Sequence, residues 1–158
     1  LTKLVTMDAI IEKATELGVV EIIPLSTVRS FKMPVDKLSA RKARWERISR
    51  AALKQSKGAV LPVINEIMSL SAILSADVQA EQKIFLDEHS QIYFRDILIE
   101  TKPASAILMV GPEGGWSQEE REALMSSKYR GFSLGSRILR TETAVVSALA
   151  LISHFWNW

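Results

Sequence analysis

The chain has 158 residues, of which 47% are hydrophobic and 24% charged, and its formal net charge is +2. This length and composition suit one globular domain with its own hydrophobic core. The absence of cysteine excludes disulfides, thiolate metal sites and cysteine nucleophiles, and two histidines far apart in sequence predict no metal site. The sequence starts with Leu1 and shows no signal-peptide pattern, so we expect a cytoplasmic protein or a piece of one.

The first half of the chain predicts two long helices separated by a buried strand. Apolar side chains recur at helical spacing over residues 6–17, and Gly18 is a typical helix stop. Residues 19–25 are almost continuously apolar, which predicts a buried strand. The remaining elements predicted here are a helix at 37–57, a short strand at 63–67 and a short helix at 69–75.

The helix at 37–57 concentrates positive charge. It holds eight basic residues and one acid, a local charge of +7, whereas the rest of the chain has 12 basic and 17 acidic residues, or −5. One face is predicted to pack in the core: Trp45, Ile48, Ala51, Ala52 and Gln55. The opposite face carries Arg44, Arg47, Arg50, Lys54 and Lys57. This pattern favours an anionic partner such as nucleic acid, and a plain solvated helix face is the alternative.

The second half alternates strands with helices. Its predicted elements are a strand at 83–87, a strand at 105–110, a helix at 117–127, a strand at 131–134 and a helix at 141–156. Ser117 and Glu120 form a capping-box pattern at the start of the first helix. The alternation predicts an α/β domain with a mainly parallel sheet. The final helix is apolar almost all round but too short to span a bilayer, so we expect it to be buried in the core or against a second subunit.

A glycine-rich loop, Gly111-Pro112-Glu113-Gly114-Gly115, follows the clearest strand and precedes the capped helix. Glycines allow close backbone approach to a ligand, and parallel sheets bind ligands at the carboxyl ends of their strands. A plain tight turn is the alternative interpretation. The loop matches neither GxxxxGK[ST] nor GxGxxG, so it does not predict a nucleotide-phosphate loop.

Residues 131–135 match the GxSxG nucleophile elbow around Ser133. The convenient partners, Glu142 and His154, would both lie on the final helix, about 18 Å apart along its axis. They cannot converge on Ser133, so the sequence argues against a hydrolase.

Two arginines and a glutamate stand where a loop meets the final helix. Arg137, Arg140 and Glu142 lie beside an element predicted to be buried, where charged groups need partners. Their position alone fits either a structural Arg–Glu pair or a functional site, so both interpretations stay open.

Two segments together carry a specific family resemblance. Residues 110–117 (VGPEGGWS) and 133–144 (SLGSRILRTETA) resemble the RsmE family, whose members are SPOUT-class RNA methyltransferases that methylate N3 of a uridine in small-subunit (16S) ribosomal RNA. Shorter matches agree along nearly the whole chain: Met7-Asp8, Ile23-Pro24-Leu25, Arg29-Ser30 and Gln55-Ser56.

The resemblance implies a deep trefoil-knot α/β fold over residues 1–158, with Leu1 inside the first strand of the methyltransferase domain. It also implies a homodimer formed through the C-terminal helix and the knot region, with no membrane or metal. Family members carry an N-terminal PUA-like RNA-binding domain, which we expect to be absent from this chain.

The implied cofactor is S-adenosyl-L-methionine. Its implied contacts are Leu86, Gly111, Pro112, Glu113, Gly114, Gly115, Leu134, Gly135, Ile138 and Leu139. Arg140 is expected to stabilise the uracil anion, and Glu142 to position Arg140 or relay the proton. The residues expected to bind RNA are Arg29, Arg44, Arg47, Arg50, Lys54, Lys57 and Arg137. The alternatives are a non-catalytic RNA-binding ribosome assembly factor and a knotted methyltransferase that acts on another RNA site.

Overall fold

The structure is a computed structural model that describes residues 4–31, 34–100 and 102–158. The strand expected around Leu1 lies outside these residues. All seven strands of the described chain pair in parallel, and helices connect or flank them, so the prediction of an α/β domain with parallel strands is confirmed.

Two helices form one side of the amino-terminal half. Helix α1 spans Leu4–Glu16, and helix α2 spans Leu38–Ser56 after a single 3-10 turn at Val35–Lys37. Trp45 of α2 is buried against α1, and the Thr15 hydroxyl of α1 donates to the Ser49 hydroxyl of α2 at 3.2 Å. The two helices therefore interlock through both apolar and hydrogen-bonding contacts.

The predicted core face of α2 is partly wrong. Trp45 and Ala52 are buried and Ile48 is half-buried, but Ala51 and Gln55 are exposed. The buried strip is narrow because α2 packs mainly against one neighbour, α1, and it runs through Ser49 instead. A serine in that strip is tolerated because Thr15 satisfies its hydroxyl.

Four strands of two residues each form two parallel pairs in the amino-terminal half. Strand β1 (Glu21–Ile22) pairs with β3 (Val63–Ile64), and β2 (Leu25–Ser26) pairs with β4 (Met68–Ser69). The predicted strand at 19–25 is thus interrupted, and the strand predicted at 63–67 is shortened to Val63–Ile64, with β4 beginning after it. Proline 24 explains the interruption, since it lacks the N–H that a continuous ladder requires.

A three-stranded parallel sheet forms the other half of the molecule. Its order is β6 (Ala106–Met109), β5 (Gln82–Leu86) and β7 (Arg130–Phe132), with Ile84 of the central strand fully buried. Gly131 lies against the Phe85 ring, where an added Cβ would be 2.6 Å from the Phe85 Cζ atom. The first glycine of the GxSxG match therefore serves packing between strands.

Four helices cover this sheet: α3 (Leu70–Ser75), α4 (Phe94–Glu100), α5 (Gln118–Ser126) and α6 (Thr141–Trp156). Helix α4 was not predicted. The bounds predicted for α6 are confirmed, and its buried residues Ala148, Ile152 and Trp156 pack against strands and α4 in one core cluster. No helix of the described chain is long and apolar enough to cross a membrane.

Candidate functional site

A cleft opens at the carboxyl edge of the three-stranded sheet, where β5, β6 and β7 all end. Parallel strands place their following loops side by side at such an edge, which is the usual ligand position in open α/β sheets. The cleft is lined by Leu86, Asp87, Glu88, Val110, Gly111, Pro112, Gly115, Trp116, Arg121, Phe132, Ser133, Leu134, Arg137, Ile138, Leu139, Thr141 and Ala144.

The loop from Gly111 to Trp116, called the glycine loop below, folds back over its own tryptophan. The Trp116 side chain is buried, and its Nε1–H donates to the Leu86 carbonyl at 2.9 Å. An added Cβ on Gly111 would lie 3.2 Å from the indole, so the backbone passes directly over the ring. Gly115 takes a φ of +67° and its N–H donates to the Pro112 carbonyl, which closes a tight turn.

The capping box predicted after this loop is confirmed. The Ser117 hydroxyl accepts from the Glu120 N–H, and the Glu120 carboxylate accepts from the Ser117 N–H. The Ser117 hydroxyl also donates to Glu119 at 2.7 Å. This hydrogen bond, followed by the charges of Arg29 and Arg121, lowers the pKa of Glu119 below its ordinary value.

The second wall of the cleft follows β7. The Ser133 hydroxyl donates to the Gly135 carbonyl and is buried, which is a structural use and not that of a nucleophile. Residues 136–140, called the arginine loop below, are all exposed, and Ile138 is 81% exposed. Apolar side chains held in water beside a cleft are available to contact a ligand.

The structure brings together seven of the ten residues expected to bind the cofactor. These are Leu86, Gly111, Pro112, Gly115, Leu134, Ile138 and Leu139. Glu113, Gly114 and Gly135 belong to the same loops but do not line the cleft. The carbonyl of Gly114 instead accepts a hydrogen bond from Arg29.

The two residues expected to act in catalysis lie at the rim. Arg140 is the exposed residue preceding α6, between the cleft-lining residues Leu139 and Thr141. Glu142 lies in the first turn of α6 and is half-buried. No hydrogen bond or ion pair joins the two side chains in the described chain, so the structural Arg–Glu pair considered from the sequence is not formed.

The cations of α2 divide into paired and unpaired ones. Arg44 donates to Asp8 at 2.8 Å through both Nε and Nη2, and Arg50 lies 3.8 Å from Glu46. The exposed side chains of three further cations make no ion pair or hydrogen bond with the described residues: Arg47, Lys54 and Lys57. The part of this face that carries unpaired positive charge is therefore narrower than the sequence predicts.

Arg29 and Arg137 lie apart from α2. The Arg29 guanidinium donates to the carbonyls of Gly114 and Trp116, at 2.9 and 3.4 Å. Arg137 is exposed in the arginine loop and lines the cleft. Among the residues grouped from the sequence as RNA contacts, Arg137 therefore lines the cleft, and Arg29 contacts the glycine loop that forms one of its walls.

Sequence reasoning missed several cleft residues. Asp87 and Glu88 directly follow β5 and supply two carboxylates, and Arg121 supplies a cation from α5. The rule that pointed to the glycine loop, position after a parallel strand, also points to Asp87 and Glu88. No group of three or more potential metal ligands occurs among the described residues.

The chain matches the RNA methyltransferase domain family over residues 1–153. It is 35% identical to the ribosomal RNA small subunit methyltransferase E of Aquifex aeolicus over 151 residues, covering 95% of this chain and 63% of that protein. It is 32% identical to the Bacillus subtilis protein of the same name, covering 94% of this chain and 60% of that one.

Solved structures give the same picture. A ribosomal RNA small subunit methyltransferase E from Neisseria gonorrhoeae, bound to S-adenosyl methionine, superposes with a TM-score of 0.87 at 30% identity, covering 99% of this chain and 63% of that one. A putative methyltransferase from Legionella pneumophila, in complex with the bound cofactor SAM, gives 0.89 at 28% identity over 98% of this chain and 63% of that one. The chain thus spans less than two thirds of the length of each of these proteins.

Proposed function

Because the chain belongs to the RNA methyltransferase domain family, we propose that it transfers a methyl group from S-adenosyl-L-methionine to N3 of a uridine in small-subunit (16S) ribosomal RNA. The observation that carries this proposal is the cleft at the carboxyl edge of β5, β6 and β7, where the glycine loop and the arginine loop face each other. The names of the relatives in Aquifex aeolicus and Bacillus subtilis support the choice of RNA.

The lining of the cleft suits this cofactor. Leu86, Leu134, Ile138 and Leu139 offer apolar surface for an adenine ring, and the absence of a side chain at Gly111 lets the Trp116 indole pack against the loop backbone. The carboxylates of Asp87 and Glu88 favour a cationic ligand. When bound, the cofactor supplies an electrophilic methyl group on a sulfonium.

The chain's own residues have to help remove a proton. The N3 imide of uracil is protonated near neutral pH, and its conjugate base must be stabilised for attack on the methyl carbon. Arg140, exposed at the rim between two cleft-lining residues, stabilises the developing uracil anion. Glu142, in the first turn of α6, relays the N3 proton toward solvent or orients Arg140 during the reaction. Positioning of the two substrates supplies much of the remaining acceleration.

Arg140→Ala tests the catalytic assignment. We expect turnover to fall about 100-fold or more, because the variant loses the cation beside the forming anion, while cofactor affinity stays within about twofold. Methyl transfer to small-subunit ribosomal RNA, with nucleoside mass spectrometry to identify 3-methyluridine, measures the first quantity. Calorimetry with S-adenosyl-L-methionine measures the second. Unchanged turnover would remove Arg140 from this role.

The same measurements separate the alternatives. A folded wild-type chain that binds RNA but not S-adenosyl-L-methionine would favour a non-catalytic ribosome assembly factor. Methylation of a nucleotide other than a small-subunit uridine would favour a knotted methyltransferase with another RNA target.

The exposed basic face of α2 is the proposed contact for RNA phosphates, together with Arg137. Arg47, Lys54 and Lys57 have no partner within the described chain, so their charge is available to an anion. Charge removal at Arg47 and Lys54 together should weaken RNA binding for all sequences and lower the salt slope by about two. Arg44→Ala is the comparison variant, since its charge is already paired with Asp8. An unchanged affinity and slope for the double variant would leave α2 as a solvated face.

The trefoil knot, the homodimer and the cytoplasmic location are part of the same proposal. Exposed apolar side chains at the end of α6, Phe155 and Trp158, support a second copy packing there. Light scattering should give twice the mass of the chain, and a monomer at micromolar concentration would argue against the dimer.

A further inference from the structure

Arg29 stands in a turn that the chain organises before any ligand arrives. The turn follows β2, and the Ser30 N–H donates to the Thr27 carbonyl at 3.2 Å. The Ser30 hydroxyl in turn accepts from the Thr27 N–H at 2.9 Å. The backbone around Arg29 is therefore fixed by local hydrogen bonds, which is typical of a loop that places a side chain.

The whole Arg29 side chain, from Cβ to the guanidinium, lies against the glycine loop. An added Cβ on Gly114 would be 3.2 Å from the Arg29 Cβ and 3.4 Å from its Cδ, so the aliphatic stem covers that glycine. The guanidinium then reaches the carbonyls of Gly114 and Trp116. Both of these hydrogen bonds come from its Nη1 atom, so the guanidinium is directed onto the loop, and its Nε and Nη2 atoms make no hydrogen bond in the described chain.

A second hydrogen bond joins the same turn to the start of α5, the helix that follows the glycine loop. The Val28 N–H donates to Glu120 Oε1 at 2.8 Å, while the other Glu120 oxygen accepts from the Ser117 N–H. Glu120 is buried, so this carboxylate bridge is shielded from water. Residues 27–30 thus contact the glycine loop through the Arg29 cation and the start of α5, which directly follows that loop, through the buried Glu120 anion.

The Trp116 carbonyl lies between two guanidinium groups. Arg29 approaches it from the turn after β2, and Arg121 donates to it from α5 at 3.2 Å. The Trp116 indole is anchored separately on the Leu86 carbonyl. Both the carbonyl and the side chain of Trp116 are therefore fixed by contacts with other elements.

We propose that Arg29 is a positioning residue for the cofactor-binding loop, which it holds through the Gly114 and Trp116 carbonyls, and that it does not act as a phosphate ligand for RNA. This inference rests on the proposed use of the cleft for S-adenosyl-L-methionine. Loss of the two hydrogen bonds lets the glycine loop adopt other conformations, and the cofactor then has to select the competent one.

The experiment compares Arg29→Ala with Arg47→Ala, an exposed arginine without a partner in the described chain. Arg29→Ala should raise both the Kd and the KM for S-adenosyl-L-methionine about tenfold, with kcat at saturating cofactor nearly unchanged. Its RNA affinity and salt slope should equal those of the wild type. Arg47→Ala should leave the Kd and KM for S-adenosyl-L-methionine unchanged and should weaken RNA binding and lower its salt slope. Arg29→Lys should restore part of the cofactor affinity, because a single ammonium reaches one carbonyl but lacks the planar fork.

Hydrogen exchange gives a readout that needs no ligand. The Gly115 N–H, which donates to Pro112 within the loop, should exchange faster in Arg29→Ala and at the wild-type rate in Arg47→Ala. Faster exchange in a protein that does not bind the cofactor would sustain the positioning role and refute the proposed function. Unchanged exchange and cofactor Kd, with a lower RNA salt slope, would overturn the inference and return Arg29 to the RNA contacts.

Discussion

The two loops that wall the cleft are held in very different ways. The glycine loop is tied down by the Trp116 indole on Leu86, by its own tight turn and by arginine side chains from two other elements. The side chains of the arginine loop are exposed and make no hydrogen bond or ion pair in the described chain. The side chains of one wall are held by contacts within the protein, whereas those of the other are free to contact a ligand.

This difference matters energetically. A surface whose side chains are already fixed loses little conformational entropy on binding, so its contacts contribute nearly in full to affinity. Side chains without partners lose that entropy when the ligand binds, but they are free to close over the ligand. Changes in the fixed wall should therefore alter both stability and affinity, and changes in the free wall should alter affinity alone.

Gly111→Val should have the largest effect on affinity and stability, because it changes the glycine loop, the wall that is held by contacts within the protein. A Cβ there already lies 3.2 Å from the Trp116 indole, and the additional methyl groups force the ring or the loop to move. We expect cofactor affinity to fall more than about 100-fold and the free energy of unfolding to fall by about 1–3 kcal/mol. Calorimetry and urea unfolding measure the two quantities.

Ala123→Val, on the exposed side of α5, is the control for introducing the same side chain at an exposed position in the helix that follows the loop. It should cost only about 0.5 kcal/mol, the usual penalty of a β-branched residue in a helix, and leave affinity unchanged. Wild-type affinity in Gly111→Val would mean that the glycine loop is not the organised wall.

Ile138→Ala should have a smaller effect, confined to binding. Ile138 is 81% exposed, so its truncation should change the free energy of unfolding by less than about 0.5 kcal/mol. If the arginine loop closes on the ligand, the lost apolar contact should weaken affinity about three- to tenfold. Ile99→Ala is a matched control, because Ile99 is 74% exposed on α4 and does not line the cleft. Equal affinities in both variants would show that the free wall does not close.

The sequence predicts the fixed wall better than the free one. Gly111, Pro112 and Gly115 are recognisable because close approach and a positive φ require particular residue types, and the capping box marks where the loop ends. The bounds of α6 could be predicted because its long apolar run contrasts with the polar loop before it. These are local constraints, which a single sequence records directly.

Contacts between distant segments left a weaker trace in the sequence. Arg29 is 85 residues from Gly114, and nothing in its neighbourhood distinguishes a loop-positioning arginine from a phosphate contact. The pairing of Arg44 with Asp8 was hidden for the same reason. Helix α4 was missed although Phe94 and Ile97 have helical spacing, because seven residues are too few for periodicity to stand out.

The smallest predicted effect concerns pH and again distinguishes the two walls. Hydrogen bonding from Ser117, with the charges of Arg29 and Arg121 behind it, lowers the pKa of Glu119 below the ordinary 4.5. Because the folded pKa is the lower one, this interaction stabilises the folded chain above the unfolded pKa and is lost as pH falls through the folded pKa. Glu119→Gln should therefore unfold at slightly less urea than the wild type near about pH 7, and the difference should shrink toward about pH 3.

Glu113→Gln is the control for this titration, since Glu113 is an exposed carboxylate in the glycine loop that precedes α5 and has no partner in the described chain. Its urea midpoint should follow that of the wild type at every pH. The arginine loop has no carboxylate of its own, so acid should leave its exposed residues unchanged while it loosens the start of α5. A pH-independent difference between Glu119→Gln and the wild type would mean that the Ser117 hydrogen bond, and not the charge, holds this end of the glycine loop.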